Sequence, residues 1–524
     1  MGQLTYDLFN PTYTIYHRAA LGGLACTIHA WMESGEYERL AEQGIYCEYD
    51  KSAVRLKWDD HLSDAKVVQR LLDMSFRVTD KKLIDLPGHG ISGSGDSERV
   101  AIHNALLGTF LQHGKSRPGD KGIRVINVAD ADNEDVVIPL SYRPVNSYVH
   151  GTPLERGILN RKDPLNKPAK IPQSVVPGAV AGTVPLEAPG HEVFLLLYLM
   201  AGCQLYLVRS DMLKEKSQYC ILVPDVCDLQ LFTSQMIHGT SKNQNINRDE
   251  WFGFEKRVAG GAEEAALRFI VERLAVEAVR PAAFGIKGFQ IVSMGKIAWD
   301  KQQVYRNYIR FARIHYDELN IFQTAIGSRL GAIRKIPLKS GEFFWVKETR
   351  FPAMVAANLV ADRHWCDGFN EWVSEQKEFN QLKYYRKELG AVSNAVQNEQ
   401  DKAVIQVMHE ALRRLYGRLG ERAQREGTSF ERLADVELER MRNSILRAKS
   451  MDSLTQWFMH FCSTVSSGKN ISLFGEHKEL LYKFLFEPRN FTRFQNLCLF
   501  SLLSYESSNK DQSADKSKSE QPKA

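Results

Sequence analysis

The chain has 524 residues, of which 44% are hydrophobic and 25% charged, with a formal net charge of +5. That is length enough for two or three domains with a large core, and it excludes a histone-like polycation, so any surface for a polyanion must be local. Eight cysteines with no CxxC pair suit reduced thiols and give neither a disulfide framework nor a zinc ribbon.

In chain order, MGQLTYDLF has no basic region followed by an apolar one, and Tyr6 stands where a myristoylation start needs Ser or Thr. The apolar run Val193–Met200 is too short to span a bilayer. A soluble, cytoplasmic protein with no membrane segment is therefore expected. Residues 12–32 read as a helix whose Gly22-Gly23 pair invites close packing. Strand-like runs follow at Val54–Trp58, Ile123–Val128, Val136–Leu140, Gln204–Val208 and Tyr219–Val223, with a short strand pair at Gln290–Met294 and Phe343–Val346. Helical patterns at 62–75, 98–112, 187–201 and 262–279 interrupt them. Strands mixed with helices predict an α+β domain over residues 1–368.

From Phe369 the pattern is helical. Gly427 reads as a helix stop, and Thr428-Ser-Phe-Glu431 as a capping box. The next helix is expected to bury Phe430, Leu433, Leu438, Met441 and Ile445 and to show Arg440, Arg447 and Lys449. Further helices are predicted around Asp452–Thr464, His477–Phe486 and Phe491–Leu503. Short connections make residues 369–505 an all-α bundle. The polar stretch 506–524 reads as a disordered tail.

Several catalytic motifs nearly form and fail on spacing. Gly108–Ser116 has one residue too many for a phosphate loop and follows a helix instead of a strand. Asp130, Asp132, Glu134 and Asp135 lack the turn glycine and final glutamate of a calcium loop, so an acidic hairpin tip is expected. Gly90–Gly95 lacks the spacing of a nucleophile elbow. His364-Trp365-Cys366 reads as a histidine packed on Trp365 and not as a ligand set. No catalytic residue, metal or cofactor is assigned.

Cations offer more. Arg414, Arg418, Arg422 and Arg425 are spaced four, four and three apart, which makes one stripe on a helix, with Val404, Val407, Met408, Leu412, Leu415 and Leu419 assigned to the opposite face. Arg440, Arg442, Arg447 and Lys449 extend the positive charge. A positive face with sequence-tolerant contacts suits single-stranded nucleic acid; a solvated helix face is the plain alternative. Two loops carry groups able to read base edges or hold phosphates: Lys242-Asn243-Gln244-Asn245, and the segment with Lys115, Arg117 and Lys121. Lys301–Arg313 interleaves Arg306, Arg310 and Arg313 with Tyr305, Tyr308 and Phe311, whose rings suit a core.

Three stretches carry a resemblance: residues 4–28 (LTYDLFNPTYTIYHRAALGGLACTI), the run Met294-Gly-Lys-Ile-Ala-Trp299-Asp-Lys-Gln302-Gln303-Val-Tyr-Arg306, and the helical end closing on Leu497–Tyr505. Together they resemble the large subunit of type I CRISPR Cascade effectors, in the Csx-thirteen or Myxan branch grouped with the Cas-eight-a subunits of type I-A/I-B systems. The resemblance implies a non-catalytic subunit whose N-terminal domain touches the crRNA 5′ end and reads the target-flanking motif (PAM). It implies a C-terminal bundle, similar to the small subunit, along which displaced DNA lies. Implied partners are crRNA, target double-stranded DNA and its displaced single strand, and the backbone, crRNA 5′-handle-binding and small subunits. A helicase-nuclease for defence, or a transposon targeting protein for guided insertion, would act downstream. The rivals are a metal-dependent nuclease with a dispersed site and a scaffold that binds no nucleic acid.

Overall fold

A computed structural model describes residues 2–89, 95–111, 119, 122–130, 133–147, 163–171, 187–208, 218–237, 261–274, 285–293, 305–310, 316–337, 343–466 and 471–506. The chain forms two compact units: Met1–Arg313 with Ile333–Lys347, and Ile314–Ala332 with Glu348–Ala524. The first is α+β and the second helical.

The first unit opens with β1 (Gly2–Asp7), α1 (Ile15–Ser34), α2 (Glu36–Glu42), β2 (Ile45–Tyr49), β3 (Ala53–Trp58), α3 (Asp64–Ser75), β4 (Arg77–Val78), β5 (Ile84–Asp85) and α4 (Asp96–Gly108). It continues with β6 (Arg124–Asp130), β7 (Asn133–Tyr142), β8 (Pro168–Lys170), β9 (Glu187–Pro189), α5 (Gly190–Leu197), α6 (Leu199–Gly202), β10 (Gln204–Val208) and β11 (Gln218–Val226). It ends with α7 (Leu229–Ile237), α8 (Ala262–Leu274), β12 (Ile286–Ser293), β13 (Tyr305–Arg310), β14 (Ile333–Pro337) and β15 (Phe343–Lys347). β1, β3 and β2 form one antiparallel sheet, and β10 to β13 form another in sequence order. β12 pairs with β11 and β13, and β15 pairs with β14. This corrects the expected pairing of Gln290–Met294 with Phe343–Val346. Each run is a strand, but each has a nearer antiparallel partner in sequence, β13 and β14, too short and too cationic to stand out.

α1 is the central helix of this unit, buried on every side from Ala19 to Ile28 because its sequence there is almost wholly small or apolar. Its glycine pair packs as the sequence suggests. A Cβ on Gly23 would stand 2.2 Å from the Tyr198 carbonyl oxygen, and one on Gly202 would stand 2.0 Å from the Ala19 carbonyl oxygen. α1 and α6 therefore touch backbone to backbone. The turn Pro87–His89 lies on the same helix. Buried His89 uses Nε2–H to donate to the Met200 carbonyl at 2.7 Å, and burial pushes its pKa down to about 4. Arg18 Nε donates to Asp225 Oδ1 at 2.6 Å, tying α1 to β11. Fully buried Glu264 on α8 pairs with Arg268 at 2.8 Å and with Lys347, which holds the β14–β15 hairpin in this unit.

The second unit contains α9 (Tyr316–Ile326), α10 (Phe351–Val360), α11 (Phe369–Ser374), α12 (Gln376–Leu382), α13 (Arg386–Ala395), α14 (Glu399–Glu426) and α15 (Phe430–Arg447). α16 (Met451–Ser466), α17 (Ser472–Glu476), α18 (Lys478–Leu485) and α19 (Phe491–Ser504) complete it. α19 is the hub, buried continuously from Phe494 to Ser504 and packed by α11, α13, α14 and α15. Phe500 stands 6.2 Å from Phe351, 5.9 Å from Phe369 and 5.0 Å from Trp365 between ring centroids. Such offset and edge-on ring packing adds to simple area burial. The expected tail 506–524 lies outside the described residues after Glu506, and no helix among those described is long and apolar enough to cross a membrane.

Candidate nucleic-acid interface

α14 and α15 carry seven of the cations that the sequence singles out, from Arg414 to Arg447, and their caps fix the hairpin between them. Asn398 Oδ1 accepts from the backbone N–H of Gln400 and Asp401 at the start of α14. Gly427 ends the helix in the left-handed region, at φ 63°. The cap of α15 is Ser429, one residue beyond the expected Thr428. Its hydroxyl accepts from Arg432 N–H and donates to Glu431 Oε2 at 2.5 Å.

The arginine stripe on α14 needs correction. At about 100° per residue, Arg414 and Arg418 project beside Val407 and Ala411, not across from the apolar stripe. Both are accordingly half-buried, while the far side of the helix presents Arg413, Gly417 and Gln424. Arg414 Nη2 donates to Glu410 Oε1 at 2.7 Å. That carboxylate also accepts from the N–H groups of Ser472 and Leu473 and so caps α17. Burial alone would raise the Glu410 pKa, but these donors bring it below its ordinary value. Arg418 Nη1 donates to the Thr464 carbonyl at 2.7 Å, in the last turn of α16. Arg422 is exposed and pairs with Glu426 at 2.8 Å, and Arg425 is exposed. The stripe thus divides: Arg414 and Arg418 hold neighbouring helices, and Arg422 and Arg425 face water.

α15 presents the more coherent row. Arg432, Val436, Arg440, Asn443 and Arg447 are all exposed and spaced four, four, three and four apart. Val436 is 60% exposed and stands in the middle of them. Arg440 lies 3.8 Å from Glu437, an exchangeable surface pair. The opposite face buries Ala434, Leu438, Met441 and Ile445, while Phe430 and Leu433 are half-buried rather than in the core. Arg442 departs from the expected cationic surface. It is buried, with Nε donating to the Val373 carbonyl at 2.7 Å, Nη2 to the Ser374 carbonyl and Nη1 to the Gln376 side chain. Its guanidinium lies 5.0 Å from the centroid of the Phe379 ring. Arg442 therefore caps the C-terminal carbonyls of α11. Sequence reading passed over Arg413 and Arg432, although the spacing from Arg432 to Arg447 was open to view.

His364 is half-buried and works as a structural link. It accepts from Cys366 N–H at Nδ1, so Nε2 carries the proton that binds Asp401 Oδ2 at 2.6 Å. Trp365 Nε1 donates to the same oxygen at 3.2 Å, and Arg493 binds Asp401 Oδ1 at 2.6 Å. Burial would raise the Asp401 pKa, yet His364 and Arg493 together hold it below the usual carboxylate value. Of the expected acidic hairpin tip, Asp130 ends β6 and Glu134 and Asp135 lie in β7, with Asp130 paired to Asn133, while Asp132 lies outside the described residues. Lys115, Arg117, Lys121, Lys242, Asn243, Gln244 and Asn245 lie outside the described residues, as do Gly90–Ser94. Of Lys301–Arg313, the backbone of Tyr305–Arg310 is strand β13 at a sheet edge. Among the described residues, no group of three or more His, Cys, Asp or Glu side chains is placed to hold a metal ion.

Residues 5–197 match the family described as the DevT N-terminal domain, and residues 393–524 match the DevT C-terminal domain. Both ends of the chain are DevT-like. The chain is also similar to the CRISPR-associated protein Cas8a1/Csx13 of Myxococcus xanthus (strain DK1622), with 23% identity over 96% of this chain and 88% of the relative. That likeness runs through both units. The DevT C-terminal match covers α14, α15 and the later helices, so the arginine row lies within the matched region.

Proposed function

We propose that this chain is the non-catalytic large subunit of an RNA-guided Cascade complex. In this reading it recognises the target-flanking motif, stabilises the R-loop and then recruits a helicase-nuclease or transposition proteins. The observation that carries the proposal is the likeness to Cas8a1/Csx13 along 96% of the chain, which leaves little room for an unrelated domain. The chemistry on α15 agrees with it. A displaced strand offers phosphates at regular intervals and bases of any identity, so its holder needs cations on a rigid face without base-specific contacts. Arg432, Arg440 and Arg447 supply such a row, and exposed Arg422 and Arg425 on α14 add to the cations of this hairpin. Sequence discrimination would be delegated to pairing between crRNA and target, leaving the protein only the short flank to read. Lys242, Asn243, Gln244 and Asn245 carry the donors and acceptors that distinguish base edges in the major groove, and Lys115, Arg117 and Lys121 suit backbone phosphates.

The test is duplex binding by a complex reconstituted with crRNA and the backbone and handle-binding subunits, using matched targets with randomised flanks. The wild type is expected to prefer one flank. Replacing residues 242–245 by alanine is expected to erase that preference while guide-dependent binding persists. A preference unchanged in the variant removes flank reading from that loop, and wild-type binding indifferent to flank refutes the recognition role.

A further inference from the structure

α18 carries a surface that the arginine row does not explain. Lys478, Tyr482 and Phe486 recur every four residues and so share one side of the helix and its C-terminal cap. The other side is core: Leu481, Phe484 and Leu485 are buried, and Phe484 meets Phe494 with ring centroids 5.9 Å apart. The exposed side is rigidly mounted. Asn490 Nδ2 donates to the Phe484 carbonyl at 3.1 Å, and Arg493 lies 5.2 Å from the centroid of the Phe484 ring. On this mount Phe486 is 78% exposed and Tyr482 41% exposed. Their ring centroids are 5.9 Å apart, and Lys478 Nζ lies 5.7 Å from the Tyr482 centroid. Lys483 and Arg489 are exposed within a few positions of these rings; Arg489 Nε lies 3.3 Å from Glu487 in an exchangeable surface pair, and Glu479 is the other carboxylate on this stretch of helix.

Two large aromatic side chains held in water on a fixed helix are unusual unless something covers them. An apolar protein partner would be matched by a continuous greasy face; here Lys478 stands over the Tyr482 ring, and charged side chains, not further apolar ones, are the exposed neighbours in sequence. Alternating π-faces and positive charge match a single nucleic-acid strand, whose bases stack on rings and whose phosphates meet the cations. We propose that Tyr482 and Phe486 form a base-stacking platform for single-stranded nucleic acid, flanked by Lys478, Lys483 and Arg489. This rests on the nucleic-acid reading above, and it adds a contact of a different kind from the α15 row.

The test uses the full chain and a single-stranded oligonucleotide carrying 2-aminopurine, whose fluorescence is quenched by stacking. Wild type is expected to bind and quench. The Tyr482→Ala/Phe486→Ala variant is expected to lose about ten- to a hundredfold in affinity together with the quenching, at an unchanged salt slope. Tyr482→Phe is expected to behave as wild type, and both variants should melt with it because the replaced rings are exposed. Lys483→Ala/Arg489→Ala should keep the quenching and bind with a shallower salt slope. Wild-type affinity and quenching in the double alanine variant would overturn the platform, and so would a defect confined to assembly with protein subunits. If Arg432→Ala/Arg440→Ala/Arg447→Ala still loses affinity in that case, the nucleic-acid reading survives the platform's failure.

Discussion

Arg440 and Arg442 are two residues apart and have opposite fates. Arg440 stands in water, whereas Arg442 is buried against the last carbonyls of α11, almost seventy positions earlier in the chain. Charge and spacing alone make both look like surface cations. What separates them is a partner helix that no local pattern announces. Removing Arg442 strands the buried Val373 carbonyl and releases the Ser374 carbonyl and the Gln376 side chain, which lie on exposed residues, so Arg442→Ala is expected to cost the helical unit about 1–3 kcal/mol. Arg442→Lys should recover little, because an ammonium cannot reproduce the planar fork. Denaturant unfolding followed through the tryptophans of this unit checks both. Histidine makes the second prediction at this scale. His89 is buried and His409 half-buried, one in each unit, and desolvation pushes both pKa values down to about 4, so both are neutral near pH 7. Below about pH 6.5 an unfolded histidine takes up a proton before these do. Their contribution is therefore complete above that pH and declines as pH falls toward 4. A melting temperature that is level from pH 8 to 6.5 and drops steadily to pH 4.5 is expected; a level profile throughout would contradict it.

Glycine marks which helix interfaces matter. Between α1 and α6 the backbones touch at Gly23 and Gly202, so Gly23→Ala is expected to destabilise the first unit by about 1–3 kcal/mol through overpacking. On α14, by contrast, nothing stands within 4 Å of a Cβ built at Gly417 or Gly420. Gly417→Ala and Gly420→Ala should each stabilise by about 0.5–1 kcal/mol, since alanine loses less backbone entropy in a helix. Thermal melts of the three variants test the contrast directly. The Gly22-Gly23 pair was legible in the sequence because adjacent glycines inside an apolar helix have few other uses. The position of the arginine stripe was not: Leu415 and Leu419 lead the eye toward a face that only burial can assign. At the α15 row, Arg432→Ala/Arg440→Ala/Arg447→Ala is expected to weaken single-strand binding evenly across sequences and to reduce the salt slope by about 3, one per phosphate contact. A slope equal to that of wild type would remove this row from the interface.

At the scale of the molecule, the α+β and helical parts were both legible, because strand-like runs thin out before residue 350 and helical periodicity takes over. The chain path was less so. Ile314–Ala332 belongs to the helical unit, and Ile333–Lys347 returns to the α+β unit, where Lys347 pairs with buried Glu264. That return includes an ion pair between residues 83 positions apart, which no window of sequence displays. The helical unit begins at Glu348 after this return, so α10 and its Phe351 share the aromatic core of α19. The expectation of a boundary at residues 368–369 came from a run of clear helices, and α10 precedes that run. Asp401, paired with His364 and Arg493, joins the start of α14 to that of α19 and escaped notice because its partners lie 37 and 92 residues away.

The most direct measurement is guided binding of a matched duplex by the remaining subunits and crRNA, with and without this chain, at fixed salt. The account predicts that adding the chain tightens binding, makes it depend on the flanking bases, and protects the displaced strand from single-strand nuclease. Equal binding and equal cleavage of that strand, with and without the chain, would contradict it.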